Sequence, residues 1–293
     1  MLHIVHGDVR VLLSGEINCN PDELMTRIGH WIFGLTALFF SANVCAESQK
    51  STPVWAYEIV AEYPHDPTHF TQGLLWHDDA LIESTGLYGR SGLYRKSLTS
   101  GETLKRYALD PRLFGEGITV HGRRIWQLTW REGVILIYSL DLEPLAHFRL
   151  TTQGWGLTGN GRRIWMTDGS ATLYELSPDD GQIIGRVTVK ERGQPVHLLN
   201  ELEWIDGLIF ANRFGKDDIV IFDPDDGRVV GRLDLRDLRQ RLTRPAGWSP
   251  SDHVLNGIAW RADTRQLLVT GKSWPTLFAL TLDWPERSRN EKQ

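Results

Sequence analysis

Cysteine is nearly absent from this 293-residue sequence: only Cys19 and Cys45 occur, both before residue 47. A chain running from 47 onward therefore has no disulfide, no thiol nucleophile and no cysteine-ligated zinc. Positive charge is not in excess, with 32 Lys and Arg against 37 Asp and Glu and a net charge of −5. That argues against a general nucleic-acid binder, which needs a basic surface to displace counterions. The apolar run Trp31–Phe40 has ten residues, half of the roughly 20 that span a bilayer. Glycine-rich phosphate loops and a serine nucleophile elbow are missing. The histidines after residue 46 (65, 69, 77, 121, 147, 197 and 253) show no zinc-ligand spacing.

The first 46 residues read as a leader. A short basic segment from Met25 to His30, the apolar run and the small residues of Val44-Cys45-Ala46 form the three-part pattern of a secretory signal. Residues 1–24 read as a mis-set start before a signal peptide at 25–46. The expected mature protein is 47–293, periplasmic or secreted, with no membrane association after cleavage.

Trp and Gly are abundant, at 12 and 28, which suggests many short strands joined by tight turns. A counted repeat supports this. A polar or aromatic residue, usually followed by Gly and then Leu or Ile, begins at Gln72, Glu116, Trp155, Asn200 and Asn256, at intervals of 44, 39, 45 and 56. A second phrase, aliphatic then aromatic, places Tyr94, Tyr138, Phe222 and Phe278 each 22 residues later, and Tyr174 19 residues later. An apolar run lies between the phrases of every unit. Each unit reads as three strands with Gly and Asp turns, and four units add a fourth strand.

The fifth unit lacks its last strand, while an unassigned strand, Trp55–Tyr63, stands at the other end of the chain. Pairing the two closes a ring and covers an edge. The spacing thus predicts an all-β fold, a five-bladed β-propeller forming a single domain. The long fourth interval predicts a short helix over Asp234–Leu242 and a proline-containing loop between units four and five. The last residues, 285–293, read as frayed.

In a propeller the first strand of each blade lines the channel, so equivalent positions converge. Gln72, Glu116, Trp155, Asn200 and Asn256 meet there, and the ends of the second strands add Glu83, Trp130, Phe214 and Lys272. Unlike polar groups with aromatic walls suit a small ligand or a peptide end. Glu116 lies between two glycines, which reads as a mobile backbone, and partial burial is expected to raise its pKa. Trp76, Trp126, Trp165, Trp204 and Trp260 sit inside strand patterns and read as core.

The blocks Phe70–Leu74, Glu83–Gly89, Phe114–Thr119, Gln127–Trp130, Asp168–Ser170, Leu199–Glu203, Leu255–Ala259 and Val269–Pro275 resemble the plant and bacterial glutaminyl cyclases, in order, from about 56 to 282. The resemblance implies a five-bladed propeller that converts N-terminal glutamine of peptides or proteins to pyroglutamate with release of ammonia. It implies Glu116 as the catalytic glutamate, Gln72, Asn200 and Lys272 as polar pocket residues, and Trp130 and Trp155 as aromatic wall. Phe214 stands where that family commonly has a third pocket Trp. Glu83, Glu201 and Asn256 are further candidates for substrate binding.

The chemistry suits these residues. The substrate's own α-amine is the nucleophile, so neither cofactor nor metal is required, although a structural cation in the channel is left open. A carboxyl group takes the proton from the amine and returns it to the leaving nitrogen, while Lys272 or an amide meets the oxyanion. Two other readings stay open at this point. One is a metal-dependent propeller hydrolase, lactonase-like, using Glu116, Asn200 and Asn256. The other is a binding propeller without activity. The expected enzyme is a monomer.

Overall fold

A computed structural model of the chain describes residues 51–244 and 246–284. The leader, the cleavage point at Glu47 and the C-terminal 285–293 lie outside the described residues. Five four-stranded antiparallel sheets form the blades. Blade one covers residues 71–108, blade two 115–149, blade three 157–188 and blade four 199–234; blade five joins 255–282 to Tyr57–Pro64.

The innermost strands are Thr71–His77, Gly115–His121, Leu157–Gly159, Leu199–Ile205 and Leu255–Arg261. They carry near-continuous buried runs because both faces meet other blades. The outer strand Tyr57–Pro64 alternates between half-buried and exposed residues, as a strand with one wet face should. Five hydrophobic clusters fill the interfaces between neighbouring blades, such as Leu173, Leu199, Leu202 and Phe222 between blades three and four. The Trp residues expected in the core are buried or half-buried there: Trp126 and Trp165 are sealed, while Trp76, Trp204 and Trp260 pack at cluster margins.

The N-terminal strand closes the ring as the spacing predicts. Tyr57–Pro64 is the outermost strand of blade five, antiparallel to Thr276–Leu282, with Glu62 opposite Phe278. Its start differs from the expectation: Trp55 lies outside the strand. Its backbone N–H donates to the Arg232 carbonyl of blade four at 2.8 Å. The indole is buried over Gly231, where a Cβ would come within 2.4 Å of Nε1. The closing segment thus grips two blades.

The predicted helix is shorter than Asp234–Leu242, spanning Arg236–Arg241. Leu235, Leu238 and Leu242 place one apolar stripe against the cluster between blades four and five. A small hairpin, Lys190–Glu191 with Gln194–Pro195, leads into blade four and was not expected. Among the described residues, no helix is long and apolar enough to cross a membrane.

Candidate active site

The repeated phrase turns out to be a β-bulge. In blade two Gly115 pairs with Thr129 and Ile118 with Gln127, so Glu116 and Gly117 together oppose Leu128. The same shift occurs at Gln72, at Asn200-Glu201 and at Asn256-Gly257. A bulge re-aims a side chain that regular pleating would send elsewhere, and here it turns these side chains toward one mouth of the ring. Blade three differs, because Trp155 precedes its short inner strand and is held by its N–H on the Thr167 carbonyl at 2.8 Å.

Four blades share a second device at this mouth. The residue after the second strand donates its backbone N–H to the residue before the first: Gly86 to Phe70, Trp130 to Phe114, Phe214 to Leu198 and Lys272 to Val254, at 2.8–3.1 Å. Leu87, Leu198 and Ser273, beside these closures, adopt left-handed backbone with φ of 83°, 65° and 57°. Non-glycine residues hold such geometry at a cost that the surroundings must enforce, in tight turns and at functional sites alike.

The glycines beside Glu116 serve close approach, which corrects the reading of a mobile backbone. A Cβ on Gly117 would lie 2.5 Å from the Leu157 backbone nitrogen, and one on Gly115 would lie 2.8 Å from the Thr85 carbonyl oxygen. The second strand of blade one packs on Gly115 and the inner strand of blade three on Gly117.

The side chains bound a cavity of about 280 Å³ lined by Phe70, Gln72, Leu87, Phe114, Glu116, Trp130, Trp155, Asn200, Phe214 and Lys272. It sits near the lower limit of ligand pockets, about 300 Å³, so it suits one side chain rather than a long peptide. Gln72 Nε2 donates to Glu116 Oε1 at 3.1 Å, and Asn256 Nδ2 donates to Gln72 Oε1 at 3.3 Å and to the Thr71 carbonyl at 3.0 Å. Lys272 Nζ stands 4.8 Å from the Phe70 ring centre and 5.2 Å from that of Phe214, a cation held between two π faces. Phe214 also meets Trp155 edge-on at 6.0 Å, and Phe114 leans on Trp130 at 5.4 Å. Arg131 stacks over the outside of Trp130 at 3.7 Å.

Burial pushes the Glu116 carboxyl well above the usual carboxylate range, the Lys272 charge opposes that rise, and Glu132 adds to it. Burial likewise lowers Lys272, to about 8, against the pull of Glu116 and Asp252. An acid pushed up and a base pushed down within one pocket are a pattern that proton-exchanging sites use.

Three of the candidates lie elsewhere. Glu83 is fully buried behind the pocket in an ion cluster with His65, His69 and Lys96. Glu201 occupies the place that glycine takes in the other four repeats. It reaches across the ring to accept the backbone N–H groups of Leu74 and Ile258 at 3.1 and 2.9 Å, which makes it a tie between blades. Asn256 orients Gln72 from below the pocket floor. Conversely, Phe70, Leu87 and Phe114 line the pocket but were not singled out as site residues, since aromatic and aliphatic residues flanking a strand look like core.

Residues 34–282 match the sequence model of the glutamine cyclotransferase family. The chain belongs to that family. A glutaminyl-peptide cyclotransferase of Arabidopsis thaliana is 39% identical over 230 residues, which is 77% of this chain and 71% of the plant protein. The crystal structure of Myxococcus xanthus glutaminyl cyclase superposes with a TM-score of 0.74 at 36% identity, covering 80% of this chain and all of the other. The family and the solved propeller agree with the fold read from the repeat.

Proposed function

We propose that this cyclotransferase closes N-terminal glutamine of peptides and proteins to pyroglutamate, with Glu116 carrying the proton. The observation behind it is a buried carboxyl group, contacted by Gln72 and facing Lys272, in an aromatic pocket sized for one side chain, within a chain of this family. In the reaction the α-amino nitrogen bonds to the γ-carboxamide carbon and the bond from that carbon to its nitrogen breaks. One proton passes from the attacking to the leaving nitrogen, and ammonia departs. The α-amine has a pKa of about 8, so a useful fraction is neutral near pH 7. Glu116 accepts its proton and donates it to the leaving group. Lys272, with the Gln72 and Asn200 amides nearby, stabilises the oxyanion of the tetrahedral intermediate. Trp130, Trp155 and Phe214 exclude water and keep the substrate side chain curled for attack, which lowers the entropic part of the barrier. Phe214 in place of Trp retains a ring but no indole donor.

The pocket's donors favour this reading over the hydrolase. Gln72 turns its NH₂, not its oxygen, toward Glu116, and Lys272 adds a cation to the same lining. A divalent cation asks for converging oxygens. On this reading the enzyme needs no metal. Incubation with a Gln-initiated dipeptide should release ammonia and a product lighter by that mass, in chelator as in buffer. Loss of turnover in chelator, restored by zinc or calcium, would support the hydrolase instead. The leader motivates export, with Glu47 as the mature N-terminus. Intact-mass measurement of exported protein checks this, and lipid on a retained Cys45 would overturn it.

A further inference from the structure

Behind the pocket, outside any surface a substrate reaches, lies a cluster of buried polar groups that the reaction does not use. Glu83 is its centre. Its Oε1 accepts from Thr71 Oγ1 at 2.7 Å and from His65 Nε2 at 2.9 Å; its Oε2 accepts from His69 Nδ1 at 2.8 Å and Lys96 Nζ at 3.1 Å. The His65 and Lys96 charges, with the histidine hydrogen bonds, outweigh burial and hold the Glu83 carboxyl well below its usual range.

The cluster joins two chain segments from different blades. His65 Nδ1 meets the Trp274 carbonyl at 2.6 Å, the His65 backbone N–H donates to Pro275, and the Ser273 N–H donates to His69. The segment from His65 to Gln72 carries Phe70 and Gln72 into the pocket, and the segment from Gly271 to Pro275 carries Lys272. The next residue on the central strand, Ser84, points the opposite way, as alternation along a strand requires. Its hydroxyl donates to the Glu116 carbonyl at 2.6 Å. One strand thus braces the Lys272 half of the pocket with Glu83 and the Glu116 half with Ser84.

His65, His69 and Glu83 also lie close enough together to suggest a metal site. The donor chemistry speaks against one. His65 faces the Glu83 carboxylate on one side and the Trp274 carbonyl on the other, so both ring nitrogens are already engaged. Lys96 sits where a cation would be repelled. The groups satisfy one another, as buried charges must.

We propose that Glu83, with Thr71, His65, His69 and Lys96, is a positioning cluster that fixes Lys272 and Gln72 relative to Glu116 and so sets the turnover rate without touching substrate. This rests on the cyclase reading above. Misplacing a catalytic group by about 1 Å costs up to about 100-fold in rate. Glu83→Gln should therefore lower kcat by about 10- to 100-fold while KM moves less than about threefold, because the aromatic wall remains.

Removing a buried charge can also impair folding, so Thr71→Val supplies the milder cut. It removes one hydrogen bond to Glu83, should lower kcat in the same sense at near-native melting temperature, and Thr71→Ser should restore the rate. Combined with Lys272→Ala, Thr71→Val should cost much less than it does alone, since residues acting through one another are not additive. Unchanged kcat in folded Thr71→Val, a purely KM effect, full additivity with Lys272→Ala, or zinc binding at Glu83 that is lost in His65→Gln would each overturn the proposal. The two readings fail separately. Lys272→Ala alone tests the oxyanion role, and Thr71→Val with Lys272 intact tests the clamp.

Discussion

Glu83 and Glu116 are both fully buried carboxylates on neighbouring strands of blades one and two, yet their environments oppose each other. Glu83 is met by four donors and two or more positive charges, and its acidity rises. Glu116 receives one amide hydrogen bond at 3.1 Å and feels Lys272 only at a distance, and its acidity falls. A buried charge that is fully satisfied becomes scaffold, because moving it or protonating it weakens several bonds at once. One that is under-satisfied stays available to exchange a proton. On the proposed mechanism the difference separates a carboxylate that holds the pocket together from the one that reacts.

The comparison breaks first at Glu116. Glu116→Gln keeps the shape and removes the titrating group, so kcat should fall by roughly 10²–10⁴ with a much smaller change in KM. A folded variant within about threefold of wild-type kcat removes Glu116 from the mechanism. Lys272→Ala should lower kcat by about 10²-fold. Its charge also predicts a pH profile. Activity rises as Glu116 and the substrate amine lose protons and falls as Lys272 does, near its value of about 8. Lys272→Arg keeps the charge, so the alkaline limb should move to higher pH; a limb that stays put assigns it to another group.

Smaller effects sharpen the contrast. Trp130→Ala should raise KM by about tenfold with little change in kcat, since the ring binds ground and transition states alike. The smallest concerns Glu203, a half-buried carboxyl pushed up by desolvation to about 8, with backbone N–H groups of Trp260 and Trp204 opposing the rise. The folded state holds this proton more tightly than the unfolded one. Stability should therefore fall as pH rises from about 4.5 through about 8, and a Glu203→Gln variant should flatten that part of the melting-temperature profile. An unaltered slope would show that Glu203 is not the group responsible.

The repeat made much of this visible in advance. Equivalent positions in the repeat placed Gln72, Glu116 and Asn200 at one mouth, and the missing last strand located the closing one. Local patterns carry such information because every blade repeats the same alternation and turns. The same reasoning misplaced Glu83, Glu201 and Asn256. Sequence position puts them beside the site, but a strand sends neighbouring residues to opposite faces and a bulge alters the count by one. Phe70, Leu87 and Phe114 escaped because an apolar residue at a pocket and one in a core look alike in sequence.

By itself, then, the sequence determined the all-β class, five blades, the closure by the N-terminal strand and the glutamate at the ring, since each follows from spacing along the chain. Which carboxylate is surrounded by donors and which is left with one follows only from the folded chain. That choice depends on donors brought from distant positions: Lys96, His65 and His69 around Glu83, and Gln72 and Lys272 around Glu116. Burial raises a carboxyl and nearby donors lower it. The balance between them is set by what the folded chain places within about 3 Å, the reach of a hydrogen bond.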